Sequence, residues 1–223
     1  MLTGCLGDGS DAGDRYEILG IDVSHYQGKI NWQKLAADGH DFTFIKASER
    51  KELWDNYFVD NWDEAGRYGL RRGAYHFFRP EVKPETQAKN FLSQVNLSPG
   101  DLPPVLDVET IGKLSPLELI DAIDVWAEMT EARYGVKPII YTGQNFYNRF
   151  LAGHIDEYPL WLARYDVEKP VTVCGRGYQF WQYTDKGRLP GIHGNVDRNV
   201  FFGSHLELAL LCIPPPVSKE LAK

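Results

Sequence analysis

No apolar run in the 223 residues reaches the ~20 residues that a membrane-crossing helix needs, so no transmembrane span is read here. Positive charge is in short supply. There are 24 Lys and Arg against 31 Asp and Glu, a net charge of -7 and a pI near 5.4. No basic patch or stripe stands out, which argues against nucleic acid as a partner. Cysteine is scarce too. Cys5, Cys174 and Cys212 make no disulfide framework and have no metal-ligand spacing. Cys174 and Cys212 remain a pair that the sequence neither requires nor forbids. The acids lack His or Cys companions at ligand spacing, so neither a metal nor a cofactor is expected. No internal repeat and no second domain are visible.

What is present is an ordinary globular composition, 43% hydrophobic and 25% charged, enough for one sizeable core. Aromatics make up 13%, with six Trp and twelve Tyr. Such rings serve either as stacking platforms for sugars or as filling for a large core. Residues 1–15 read as a flexible, acidic N-terminal tether, because Gly7 to Asp14 is rich in glycine and aspartate. Within it, Leu2-Thr3-Gly4-Cys5 resembles a bacterial lipobox without the hydrophobic segment that normally precedes one. The expectation attached to it is an exported protein, periplasmic or on the cell surface, anchored to the membrane through a lipidated Cys5. Residues 16–212 form the barrel domain described below, residues 213–223 a C-terminal tail, and a monomer is expected.

The stretch Pro103 to Thr110 (PPVLDVET) organises the rest. Val105, Leu106 and Val108 form a short apolar run typical of a buried strand, and the prolines fit only at its beginning. Residues i and i+2 of a strand share a face, so Asp107 and Glu109 converge on one side. Ionised carboxylates are not buried without partners, since desolvation costs several kcal/mol. Further strands are expected at 16–24, 41–46, 72–78, 138–142, 160–165, 179–183 and 196–202. Helices are expected at 32–37, 56–68, 84–95, 115–134 and 204–211. Strands alternating with helices imply a parallel sheet. The fold class is α/β: a single irregular, TIM-like β/α barrel of about five β/α units followed by extra strands.

Chemistry in such barrels sits where the strands end. The successive strand ends offer Asp22, Ser24, His25 and Tyr26; Lys46 and Glu49; Tyr75, His76 and Phe78; Asp107 and Glu109; Tyr141; Trp161 and Arg164; Trp181, Gln182 and Tyr183; Asp197 and Asn199. So many acids and rings on one rim point to a site rather than to solvated strand ends.

In this order the chain resembles glycoside hydrolase family 25, the N-acetylmuramidases found among bacterial and phage lysozymes. The matching motifs are GIDVSHYQG (20–28), FIKA (44–47), GAYHF (73–77), LDVE (106–109), PLWLA (159–163), WQY (181–183) and VDRN (196–199). One departure stands out: the family often has Thr-Glu-Gly after Lys-Ala, and here Ser48-Glu49-Arg50 follows. The resemblance implies cleavage of the β-1,4 linkage between N-acetylmuramic acid and N-acetylglucosamine in peptidoglycan glycan strands. Glu109 is expected to be the general acid, with Asp22, Asp107 and Asp197 completing the catalytic set. Asp107 would orient a substrate acetamido group acting as nucleophile; inversion, with Asp197 or Asp22 activating water, is the competing route. Tyr75, Tyr141, Trp161, Trp181, Gln182, Tyr183, Tyr26 and Glu49 are the expected substrate-binding residues. His25 and His76 are read as hydrogen-bonded scaffold and Lys46 as partial neutraliser of the acids. The rival functions are a non-catalytic, membrane-anchored glycan-binding barrel and another acetamido-sugar hydrolase such as a chitinase. The barrel lacks a reason to keep four acids together, and the chitinase would need a longer aspartate run before Glu109.

Overall fold

The computed structural model describes residues 15–216. The lipobox-like stretch with Cys5, and the end of the C-terminal tail, lie outside them. Nine strands form one sheet: β1 (Leu19–Val23), β2 (Phe42–Glu49), β3 (Leu53–Trp54), β4 (Arg71–Phe77), β5 (Val105–Asp107), β6 (Ile139–Gly143), β7 (Leu160–Ala163), β8 (Phe180–Gly187) and β9 (Val196–Phe201). Their order is β1-β9-β8-β7-β6-β5-β4-β2-β3, and β1 also pairs with β2, which closes an eight-stranded barrel. The short β3 hangs outside that ring as the return arm of a hairpin on β2. Neighbours from β1 through β2, β4, β5, β6 and β7 to β8 are parallel, whereas β9 is antiparallel to both β8 and β1. The α/β reading, with β/α units first and extra strands last, is the observed architecture.

The helices follow from local chemistry. In α4 (Pro116–Tyr134) Ser115 and Glu118 form a reciprocal capping box, Pro116 fills the first position, and Gly135 ends the helix at φ 73°. Pro84 likewise opens α3 (Pro84–Gln94). The other α-helices among the described residues are α1 (Trp32–Ala37), α2 (Phe58–Arg67), α5 (Gln144–Phe146) and α6 (His205–Leu211).

Side-chain alternation divides the apolar residues into two layers. Ile21, Val23, Ile45, Ala74, Leu106, Ile140, Leu160 and Leu162 face outward and pack under the helices with Trp32, Phe58, Phe91 and Trp126. Phe42, Phe44, Val105, Ile139, Trp161 and Phe180 face inward and fill the barrel, with Leu208 and Cys212 of the closing segment beneath them. Two glycines make room for this filling. A Cβ at Gly20 would collide with the Phe42 ring and one at Gly73 with the Phe44 ring. Cys174 and Cys212 are both free thiols, the first exposed and the second buried.

Arg50 stands where the related pattern has glycine, and its φ of 53° is the left-handed conformation that glycine adopts freely. A non-glycine residue loses roughly 1 kcal/mol or more there. Its ion-pair distances, 3.8 Å to Glu49 and 3.4 Å to Glu81, are long and the guanidinium is half exposed, so they return little. Arg50→Gly is therefore expected to raise the midpoint of thermal unfolding by about 2–4 °C. A fall on calorimetry would mean that the ion pairs outweigh the backbone strain.

Candidate active site

β1 contributes Asp22, β5 ends on Asp107, β6 contributes Tyr141, β8 contributes Gln182 and β9 contributes Asp197 and Asn199. All lie on the inward-facing alternation, one layer above the aromatic filling. Trp161 is the floor between the two layers. Its ring stacks on Phe44 with centroids 4.3 Å apart, and its indole N–H donates to Asn199 Oδ1 at 2.8 Å. The cavity above it, about 190 Å³, is lined by Asp22, Tyr26, Lys46, Tyr75, Asp107, Glu109, Tyr141, Trp161, Gln182 and Asp197. All four expected acids meet there.

β5 is shorter than the sequence implied. It ends at Asp107, although the Val108 N–H still donates to the Tyr141 carbonyl at 2.9 Å. Glu109 thus stands just beyond the strand, at the lip shared with a second cavity bounded by Arg164, Tyr165 and Asp166.

A hydrogen-bond network fixes the back wall. Gln182 accepts from the hydroxyls of Tyr141 at 2.9 Å and Tyr165 at 2.6 Å. Its amide donates to Asp22 at 2.8 Å and to Asp197 at 3.3 Å. Asn199 donates to the same Asp22 oxygen at 2.8 Å. Gln182 and Asn199 therefore hold Asp22 as an acceptor, which opposes the upward pull of burial on its pKa. Asp197 is raised first by burial and then by the charge of Asp22. Two carboxyls this close do not both ionise cheaply, so Asp22 and Asp197 titrate as a pair that retains a proton.

Asp107 and Glu109 form the front wall. Asp107 is buried and its Oδ1 has no hydrogen-bond partner among the described residues. Desolvation, followed by the charge of Glu109, drives its pKa well above the usual carboxyl range, against the opposing pull of Lys46 and Arg79. Glu109 is exposed as a residue, yet protein packed round its carboxyl still raises its pKa. Arg79 lowers it, Asp22 raises it and Lys46 lowers it, in decreasing order. An acid with a raised pKa and access to solvent at the lip is what protonation of a leaving oxygen requires.

Two cations adjoin this wall, and Lys46 itself lines the cavity. Lys46 donates to Glu49 at 2.9 Å, and Arg79 donates to the other Glu49 oxygen at 2.8 Å while lying over the Phe77 ring. Glu49, expected to bind substrate, holds these two cations in place and lines a neighbouring cavity, not the central one. A bulge at Ala47 shifts the β2–β4 register between Lys46 and Ser48, which brings Glu49 onto the same face as Lys46.

Trp181 and Tyr183 are not brought to the site. Both are buried on the outer face of β8 with Val200, and the Trp181 indole donates to the Arg164 carbonyl at 2.7 Å. Strand alternation puts them opposite Gln182, so only the middle residue of the WQY motif looks into the barrel. His25 is bound to Asp55 at 2.7 Å. His76 bridges Ser48 and Gln87 in full burial, which pushes its pKa down to about 4 and keeps it neutral. Both are scaffold. Sequence reasoning missed Arg79 and Tyr165. Each follows a rim strand by two residues, Arg79 after β4 and Tyr165 after β7.

A model of the glycosyl hydrolases family 25 matches residues 21–192. YegX of Escherichia coli is 48% identical over 198 residues, which cover 86% of this chain and 72% of that protein. Lysozyme M1 of Streptomyces globisporus is 36% identical over 212 residues, covering 89% and 72%. The structure of a family 25 glycosyl hydrolase from Bacillus anthracis superposes with a TM-score of 0.84 at 37% identity, covering 88% of this chain and 94% of that one. Family match, sequence relatives and barrel agree, and the chain belongs to the glycosyl hydrolases family 25.

Proposed function

We propose that this chain is a muramidase that hydrolyses the β-1,4 bond between N-acetylmuramic acid and N-acetylglucosamine in peptidoglycan, with Glu109 as general acid and the substrate's own acetamido group as nucleophile. The observation that carries the mechanism is the buried, unpartnered Oδ1 of Asp107 beside the protonatable Glu109. A buried carboxylate oxygen without a donor is costly unless a ligand supplies one. The acetamido N–H of a bound sugar is such a donor.

Its hydrogen bond favours charge on Asp107 and so leaves the proton of the pair on Glu109. Glu109 then protonates the glycosidic oxygen as the C1–O bond breaks. The acetamido oxygen bonds to C1, and the positive charge that develops on the acetamido group faces Asp107. The leaving sugar departs with the Glu109 proton. Water, losing a proton to Glu109, next attacks C1 and releases the acetamido oxygen, so both groups return to their starting states. Two displacements at C1 retain the configuration.

The inverting route needs an ionised base at Asp197 or Asp22. The proton retained by that pair, and the two amides already occupying the Asp22 oxygen, favour a positioning role for both instead. Digestion of purified peptidoglycan followed by mass analysis is expected to yield fragments with reducing muramic acid ends. Proton NMR early in the reaction is expected to show the retained β anomer first. Reducing N-acetylglucosamine ends would overturn the bond assignment, and an inverted first product would overturn the assisted route.

A further inference from the structure

Beside the central cavity lies a second recess of about 230 Å³, reached over Lys46, which lines both. Its wall is Trp54 on the β3 hairpin, with His25, Glu49, Asp55 and Asn56 around it. Trp54 is 57% exposed, an unusual position for the largest apolar side chain. It is nevertheless not loose. Its indole N–H donates to Asn90 Oδ1 at 2.6 Å. The Asn90 amide in turn donates to the carbonyls of Glu49, Arg50 and Leu53 at 3.2–3.4 Å. The buried Asn90 thus ties the ring and the hairpin to α3 by every polar atom of its side chain. On the other wall His25 is held through Nδ1 by Asp55, and no hydrogen bond to Nε2 is seen among the described residues. The His25 ring rests against Tyr26, whose own ring, 81% exposed, lines the central cavity.

We infer that Trp54 is the platform of a distal sugar subsite that takes a further pyranose ring of the same glycan strand. The proposal rests on the muramidase reading above. An exposed indole held rigid presents an apolar face to the C–H side of a sugar at little entropic loss, while its polar edge is already satisfied. His25 Nε2 and Asn56 supply the polar contacts that hydroxyls require. The recess continues the central cavity on its β2 side, and the Arg164–Asp166 cavity continues it beyond Glu109. An extended polymer crossing the barrel mouth would fill all three. Binding gained at a remote ring is available to distort and orient the sugar at the reacting bond, so it is expected in kcat/KM for long strands.

The test uses peptide-free glycan strands of two lengths, a tetrasaccharide and an octasaccharide. Trp54→Ala is expected to lower kcat/KM about tenfold on the octasaccharide and less than twofold on the tetrasaccharide, and Trp54→Phe to keep most of the length dependence. Calorimetric binding to Glu109→Gln protein, with and without Trp54→Ala, is expected to show the same split. Equal loss at both lengths, or no loss at either, overturns the subsite. A Trp54 effect confined to peptide-bearing strands overturns it in favour of a stem-peptide contact. Protein that binds the octasaccharide through Trp54 but never cuts it would defeat the hydrolase reading and leave the subsite standing. Protein that cuts both lengths alike with or without Trp54 would do the reverse.

Discussion

Glu109→Gln is expected to lower kcat on peptidoglycan by about 10²–10⁴-fold, the usual contribution of a positioned general acid. Glutamine keeps the shape and loses only the transferable proton. Substrate binding should change little, so the loss falls on kcat rather than KM. The pH profile gives a stricter check. Burial holds the Glu109 pKa above its ordinary value. A general acid works only while protonated, so wild-type activity falls as pH rises through that elevated pKa. The fall should disappear from the residual activity of Glu109→Gln. A variant that retained both the rate and the alkaline limb would remove Glu109 from the mechanism.

Asp107→Asn is expected to lower kcat by about 10²–10³-fold, the effect of losing one electrostatic contact to developing charge in a dry site. The same substitution should stabilise the protein at neutral pH, and the sign follows from linkage. The folded-state pKa of Asp107 is raised, first by desolvation and then by Glu109. A carboxyl with a raised folded pKa binds its proton more tightly in the folded state than in the unfolded chain. Its favourable contribution is complete below the unfolded value near 3.9 and is lost as pH rises toward the folded one. At neutral pH the buried acid is thus a net cost that asparagine lacks. The expected gain is about 1–2 kcal/mol, or roughly 2–8 °C in Tm, shrinking to nothing below about pH 4. Calorimetry from pH 3 to 8 on both proteins measures it. Curves that run parallel across the range would show that Asp107 is not desolvated. Loss of activity with gain of stability is the mark of a site whose charges are held for chemistry rather than for folding.

Much of this was legible in the residues. Pro116 after Ser115, Gly135 after Tyr134 and the alternation of DFTFIK announced their elements, because capping and side-chain period are local properties. The order of strand ends was legible too, and with it the acids. Legibility failed where one segment's fate depended on another. The two-residue β3 exists only because Ser48 and Glu49 offer it an edge. Glu49 stands off the central cavity because Arg79, which follows β4, holds its carboxylate from another segment. Trp181 and Tyr183 were misplaced for a different reason. The alternation that made Gln182 inward already made its neighbours outward, and strand order alone did not reveal it.

The amino-acid sequence by itself settled the β/α succession, the four acids and their place at strand ends, since period, caps and turn residues act within a few positions. Tertiary structure alone decided which rim side chains share a cavity and which carboxyls keep a proton. Asn199 and Asp22 are 177 residues apart and meet only because β9 closes the barrel on β1. Protonation depends on the density of protein and the charges around each carboxyl, and those come from segments that no local pattern connects.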